Sequence, residues 1–307
     1  MALNLDVGVV SRNFRKSINE DNYFLLRENN GGFWAEYFRL VDFLNRKPSR
    51  KEKRRVNKIE EDRIIYRMKD SPVMIYREAI PVRKNQFNEE NRLFAVLDGV
   101  TNSLFSPIST TEVVEKLFQR FYNGKSGPDL DAILRDIDKE VLKLNKWYSK
   151  IFDVNKYSQT VGTIALVQPG KLRAKHFGDT KLFLLRNHTL EQITEDQQLG
   201  IRPDTHIGNG KVEPLTYHKD LISGDLILIC SDGITDLYCD TDLRTNSKGN
   251  IELTTEFDAK ALADTLDSGK SVQDISEELL KKSEQAYEKR ISKKAGDDAT
   301  AIVIRYK

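Results

Sequence analysis

Six acidic residues stand at four places where a strand-like apolar run begins or ends. Glu20 and Asp21 come just before Asn22-Tyr23-Phe24-Leu25-Leu26, and Asp98 just after Leu93-Phe94-Ala95-Val96-Leu97. Asp232 follows Leu226-Ile227-Leu228-Ile229-Cys230-Ser231, and Asp297 with Asp298 precedes Ala299 to Ile304. A short apolar run bounded by turn residues marks a buried strand, so each acid sits where a core strand reaches the edge of the fold. A carboxylate there needs a cation or a hydrogen-bond network, because burying an unpaired charge costs several kcal/mol. If the strands alternate in direction, the start of one lies beside the end of the next, and all four acidic tips share one edge. Like charges gathered that closely repel unless divalent cations neutralise them.

The donor set is all oxygen. His176, His188, His206 and His218 are scattered, and no Cys or His cluster has zinc spacing. Carboxylates, a backbone carbonyl and water suit magnesium or manganese, and Gly99 after Asp98 lets its carbonyl approach an ion without side-chain obstruction. Two such ions bridged by a carboxylate would lower the pKa of a shared water and aim it at a phosphorus centre. Any one of these acids alone is as readily a turn residue or a helix cap, since Asp-Gly is common in turns. Turn chemistry does not ask for acids at four matched strand ends.

The elements that must position these tips are legible along the chain. Val7 to Val10 reads as a strand, then a polar loop runs from Ser11 to Asp21. Trp34, Tyr37, Phe38, Val41 and Leu44 recur at helical spacing and predict an amphipathic helix. The run Arg46 to Arg55 is dense in positive charge: either a solvated loop or a docking patch for an acidic partner or nucleic acid. Ile59 to Met68 continues as helix and Pro72 to Val82 suits a strand. Ser109 to Phe121 predicts a helix with a capping box of Ser109 and Glu112, and Asp129 to Tyr148 a longer one. Thr163 to Val167, Leu172 to Phe177 and Leu182 to Leu185 read as an antiparallel meander. Ala259 to Leu266 and Val272 to Tyr287 predict helices before the last strand.

Composition narrows the class. Strand-like runs continue to the end of the 307 residues, which favours one closed unit. Charged residues are 31% of the chain, yet the net charge of +2 is near balance, so the whole molecule does not bind nucleic acid by charge alone. Cys230 and Cys239 are too few and too close for a secreted disulfide framework and read as reduced thiols. No stretch approaches the ~20 apolar residues that span a bilayer, and Asp6 stands where a signal peptide would be basic or apolar. A soluble, cytoplasmic protein without a membrane partner is the expectation.

The ordered motifs resemble those of the metal-dependent protein phosphatases of type 2C. They are Asn19-Glu20-Asp21, Leu97-Asp98-Gly99, Val161-Gly162-Thr163, Phe177-Gly178-Asp179-Thr180 with Leu184-Leu185, Ile193-Thr194-Glu195-Asp196, Gly224-Asp225 followed by Ser231-Asp232-Gly233-Ile234, and Gly296-Asp297-Asp298-Ala299-Thr300. Together they span nearly the whole chain apart from residues 29 to 90. The resemblance implies an α/β (α+β) layered sandwich, two mainly antiparallel sheets flanked by helices. It also implies one phosphatase domain over 1–307, with an extra helical and basic segment at about 29–90.

It further implies two Mg2+ or Mn2+ ions and hydrolysis of phosphoserine or phosphothreonine on a phosphorylated protein substrate by a metal-bridged hydroxide. Asp98 would bridge the ions, Asp232 and Asp297 would complete one site, and Glu20 with the Gly99 carbonyl would serve the other. Asp21 would sit behind them and orient a basic residue. The family's phosphate-binding arginine falls at Lys16, so Lys16 or neighbouring Arg15 takes that role; lysine neutralises phosphate as a point charge without the bidentate fork. Val100 stands where many eukaryotic members carry a proton-donating histidine, and Asp298 where the family often has Asn, adding charge or holding the loop. Ser158 and Gln159 offer no acid for a third metal. Asp179 reads as a turn residue and Cys230 as a packed core thiol. The rival expectation is a catalytically weak pseudophosphatase that binds phosphoproteins or partners.

Overall fold

The fold is that of a computed structural model, which describes residues 3–12, 21–29, 32–42, 66–67, 73–82, 90–100, 106–123, 129–152, 158–199, 202–203, 205–245, 251–289 and 298–307. Two antiparallel sheets stack face to face. One has five strands in the order β1 (Leu5–Arg12), β17 (Ala299–Tyr306), β14 (Leu226–Cys230), β9 (Lys181–Arg186) and β10 (Thr189–Gln192). The other runs β13 (Leu215–Asp220), β8 (Lys171–Phe177), β7 (Thr160–Gln168), β6 (Arg92–Gly99), β2 (Asn22–Asn29), β3 (Gly32–Asp42), β5 (Val73–Val82) and β4 (Tyr66–Arg67).

The period-2 geometry of a strand explains why the central strands are apolar at every position. In β6, Leu93, Ala95 and Leu97 face a cluster with α1 (Ser106–Asn123) and α2 (Leu130–Phe152), where Val113, Leu117, Leu134 and Ile137 lie. Phe94 and Val96 on the other face join Ile227, Ile229, Ile302 and Ile304 between the sheets. Leu228, Ala301 and Val303 face outward again, under Leu262 and Leu266 of α4 (Ala259–Leu266) and Ile275 and Leu279 of α5 (Val272–Lys289). The result is four layers, helix, sheet, sheet, helix, as the alternating apolar runs imply. No helix among the described residues is long and apolar enough to cross a membrane.

The helix expected from Trp34 to Leu44 is a strand as far as Asp42, and Leu44 lies outside the described residues. β3 pairs with β2 on one side and forms a ladder with β5 from Phe33↔Val82 to Asp42↔Val73 on the other. Its aromatic and β-branched content suits a pleated surface, and two pairing partners override the helical spacing of a few residues. Tyr66 and Arg67, expected in a helix, instead pair with Ile75 and Met74 as β4. The rest of Ile59 to Met68 and the basic run from Arg46 to Arg55 lie outside the described residues.

α1 begins at Ser106, so Ser109 lies inside it and is no cap: its hydroxyl donates to the Ser106 carbonyl at 2.9 Å. α2 starts on a true cap, Asp129 Oδ1, which accepts from the amides of Asp131 and Ala132 at 2.9 and 3.3 Å. A further antiparallel hairpin, β15 (Cys239–Thr245) with β16 (Ile251–Phe257), has no counterpart among the expected elements.

Two outcomes follow from the packing. A Cβ on Gly8 in β1 would sit 2.3 Å from the Val272 carbonyl at the start of α5. Gly8→Ala should therefore lower the unfolding free energy by about 1–3 kcal/mol in urea titration; no measurable loss would show that α5 is not seated on β1 as described. His176 on β8 is wholly buried, its Nδ1 hydrogen-bonded to Thr163 Oγ1 at 2.9 Å, which also meets Thr180 Oγ1 at 2.7 Å. Burial holds its pKa down to about 4, against about 6.5 in the unfolded chain. The unfolded state thus binds more protons between those values, so this group's stabilisation is complete above the higher value and drains as pH falls through the lower one. The pH profile of unfolding should lose roughly 3 kcal/mol from this group between pH 7 and pH 4, and His176→Gln should flatten it by that amount; parallel profiles would contradict the burial.

Candidate metal centre

Each acid-bearing tip is delivered by one strand. Asp98 is the penultimate residue of β6, with Gly99 after it, and the neighbouring β2 begins at Asn22, which pairs with Leu97. Asp21 and Asp98 therefore each lie one residue beyond that pair, at the same end of the eight-stranded sheet. In the five-stranded sheet Cys230 pairs with Ala301, so Ser231 and Asp232 leave β14 where Asp298 leads into β17. Asp21, Asp98 and Asp298 are buried, and Asp232 is half-buried.

Ser231 joins the two ends. Its hydroxyl donates to Asp21 Oδ2 at 2.8 Å, crossing from one sheet to the other, and approaches the Asp298 carbonyl at 3.4 Å. The same oxygen accepts from the Thr300 amide at 3.0 Å, and the Ser231 amide donates to the Thr300 carbonyl, also at 3.0 Å. Thr300 Oγ1 in turn meets Ser11 Oγ of β1 at 2.6 Å. Ser231 stands at the N-cap of the short helix α3 (Asp232–Thr235) yet makes no cap bond, because its hydroxyl is turned to Asp21. Gly233 completes the packing: a Cβ there would fall 2.1 Å from the Asp298 carbonyl.

The two peptides around Gly99 are also fixed. Thr160 Oγ1 donates to the Asp98 carbonyl at 2.7 Å, and the Val100 amide donates to the Gln159 carbonyl at 3.1 Å. With no cis peptide among the described residues, the Gly99 carbonyl points opposite to the Val100 N–H, away from β7 and toward the β2 side where Asp21 lies.

Asp21, Asp98, Gly99, Asp232 and Asp298 thus come to one end of the molecule. Glu20, Asp297, Lys16 and Arg15 lie outside the described residues. Among the described residues, no three His, Cys, Asp or Glu side chains form a set that could hold an ion. The described donors are nevertheless carboxylates and a carbonyl with no thiolate or imidazole, a set that fits a hard divalent cation.

Nearby groups are structural. Burial pushes the Cys230 thiol up, the approach of Asp232 and Asp21 adds to that, and Lys181 opposes it, so Cys230 is a core thiol and not a nucleophile. Lys181 Nζ is itself engaged by Asp196 at 2.5 Å and by the Asp179 carbonyl at 3.2 Å. Gly178 holds the turn before Asp179 at φ +98°. Ser231, Thr160 and Thr300 had only a weak sequence signal as site residues: a hydroxyl interrupting or bounding an otherwise apolar run.

Comparison with known proteins bears on the family and the fold. The family profile of Stage II sporulation protein E (SpoIIE) matches residues 113–307. The serine/threonine phosphatase stp of Listeria welshimeri is 23% identical over 197 residues, 56% of this chain and 78% of the relative. The solved Streptococcus agalactiae (S. agalactiae) serine/threonine phosphatase superposes with a TM-score of 0.62 at 13% identity, covering 99% of this chain and 100% of that one. The catalytic domain of the serine/threonine phosphatase PstP, solved with two manganese ions, gives a TM-score of 0.54 at 17% identity, covering 98% and 99% of the two chains. With a profile match over more than half its length, the chain belongs to the Stage II sporulation protein E (SpoIIE) family, and its layered fold is that of the solved serine/threonine phosphatases.

Proposed function

We propose that this chain is a metal-dependent protein phosphatase that hydrolyses phosphoserine and phosphothreonine on proteins in the cytoplasm, as one domain over 1–307. The observation that carries the reading is the Ser231–Asp21 hydrogen bond, which joins the strand end that leads into Asp232 to the end of the other sheet where Asp21 and Asp98 lie. The manganese bound by the PstP catalytic domain of the same fold supports a pair of divalent ions, Mg2+ or Mn2+.

In this reading Asp98 would help to hold both ions, Asp232 and Asp297 would complete one site, and Glu20 with the Gly99 carbonyl would serve the other. Bound there, the ions would supply a nucleophilic water at neutral pH and stabilise charge developing on the phosphoryl oxygens. The chain's own residues set the geometry. Ser231 keeps Asp21 and the β14 tip in register, Thr160 holds the Asp98 peptide, and Asp298 closes its backbone over Gly233. Lys16 or Arg15 would bind the phosphate from the loop before β2, and Asp21 would orient that cation.

The rival reading, a pseudophosphatase that only binds its phosphoprotein, rests on Lys16 in the arginine position and Val100 in the histidine position. Turnover of p-nitrophenyl phosphate with manganese separates the two. Wild type should turn over, and Asp232→Asn should lose roughly 100-fold or more, about 2.7 kcal/mol of barrier; no metal-dependent turnover in the wild type would favour the binding-only protein. Ser231→Ala should destabilise the fold by about 1–3 kcal/mol in thermal or urea unfolding, because it strips a buried carboxylate of a donor, and should lower turnover as well. A variant as stable and as active as wild type would remove Ser231 from the proposed geometry.

A further inference from the structure

A further buried carboxylate, one that the proposed chemistry does not use, lies on α2. Asp138 on α2 is 2% exposed, and its two oxygens accept three backbone amides from one loop. Gly208 and Gly210 donate to Oδ1 at 2.7 and 3.1 Å, and Val212 donates to Oδ2 at 3.1 Å. Two helical turns further along the same face, buried Asn145 donates Nδ2 to the carbonyls of Ser158 and Gly208 at 2.7 and 3.0 Å. Its Oδ1 accepts the Ser158 amide at 2.9 Å.

The loop is shaped to fit this grip. Gly208 has φ +115°, and a Cβ there would lie 2.4 Å from the Ser158 carbonyl. Gly210 has φ +81°, and its Cβ would lie 2.7 Å from Leu142 Cδ2, between the two polar residues on α2. Between the gripped amides and the sheet, Ile207 is fully buried and exchanges both backbone hydrogen bonds with Thr160, at 2.8 and 3.1 Å. Thr160 is the residue whose hydroxyl holds the Asp98 carbonyl. Its neighbour Gln159 holds the Val100 amide. A path of hydrogen bonds and adjoining backbone therefore runs from α2 through the loop to both peptides that flank Gly99.

We propose that Asp138 is a positioning residue for the ion-binding end of β6, acting through Gly208, Ile207 and Thr160 on the Asp98 and Gly99 peptides. This rests on the reading that Asp98 and Gly99 hold divalent ions. The physical reason is that the gripped loop carries Ile207, which pairs with Thr160 at the start of β7, and Thr160 and Gln159 hold the two peptides that flank Gly99. Groups behind metal ligands, when removed, typically cost about tenfold or more in metal affinity.

The test is Mn2+ binding to the full-length protein by calorimetry or electron paramagnetic resonance, with amide exchange at Ile207 and Thr160 followed in parallel. Asp138→Ala and Thr160→Val should each weaken Mn2+ binding by about tenfold, and Asp138→Ala should also speed amide exchange at Ile207 and Thr160. Because both act along one path, the double variant should bind about as weakly as either single one. Asp138→Asn, which keeps an acceptor for Gly208 and Gly210, should lose only about two- to threefold; it replaces the alanine variant in the cycle if that variant does not fold. Unchanged Mn2+ affinity in a folded Asp138→Ala or Thr160→Val protein, or effects that simply multiply, would overturn the proposal and leave the metal-site reading intact. Absence of Mn2+ binding in the wild type would overturn both.

Discussion

A serine hydroxyl bridging two sheets is the contact on which the arrangement depends. Ser231 ends β14 in one sheet, and its hydrogen bond to Asp21 reaches the start of β2 in the other. The interior between the sheets is apolar and has no directional preference of its own, so apolar packing alone would allow the layers to slide. A buried, charge-assisted hydrogen bond at the rim is directional and costly to leave unmade, and it sets the register of one acidic tip against the other. Bringing several carboxylates together is unfavourable by itself. Sheets whose cores are already paid for by apolar burial on both faces can carry that cost at their edge.

The functional end is built in two tiers. The acids and the Gly99 carbonyl sit at strand tips, where a ladder stops and backbone groups become available to something other than a neighbouring strand. Beneath them, the hydroxyl of Thr160 donates to the Asp98 carbonyl, that of Ser231 donates to the Asp21 carboxylate and accepts from the Thr300 amide, and those of Ser11 and Thr300 bind each other. Small hydroxyl side chains suit this tier because they pack within a sandwich core while offering a donor and an acceptor. The glycines at 208 and 233 serve the same end, allowing backbones to approach where a Cβ would collide.

Much of this was legible in the sequence, and the parts that were not share a cause. The strands carrying Asp98, Asp232 and Asp298 announce themselves because both faces are buried, which gives runs of apolar residues ending on an acid. The strands through Thr163, His176 and Leu182, and the helices covering the two outer faces, were equally plain from their periods. The expected three-strand meander is only the β7–β8 pair, however: β9 crosses to the other sheet and pairs with β14 and β10, a non-local choice that periodicity does not carry. β3 was misread because Trp34, Tyr37, Phe38 and Val41 satisfy a helical spacing by coincidence, while the decisive fact is non-local: a ladder to β5 some forty residues away. The capping box at Ser109 failed because α1 starts earlier, at Ser106, and the serine satisfies itself against that carbonyl. Ser231, Thr160 and Asp138 could not be assigned roles from sequence, since each acts on a partner distant along the chain.

The most direct measurement is the anomalous diffraction of a crystal of the full chain soaked in Mn2+. Two manganese peaks are expected at the shared end of the sheets, each within direct coordinating reach of an Asp98 oxygen, with Asp232 on one ion and the Gly99 carbonyl facing the other. An empty tip, or manganese bound only elsewhere on the molecule, would contradict the proposed metal centre and the chemistry built on it.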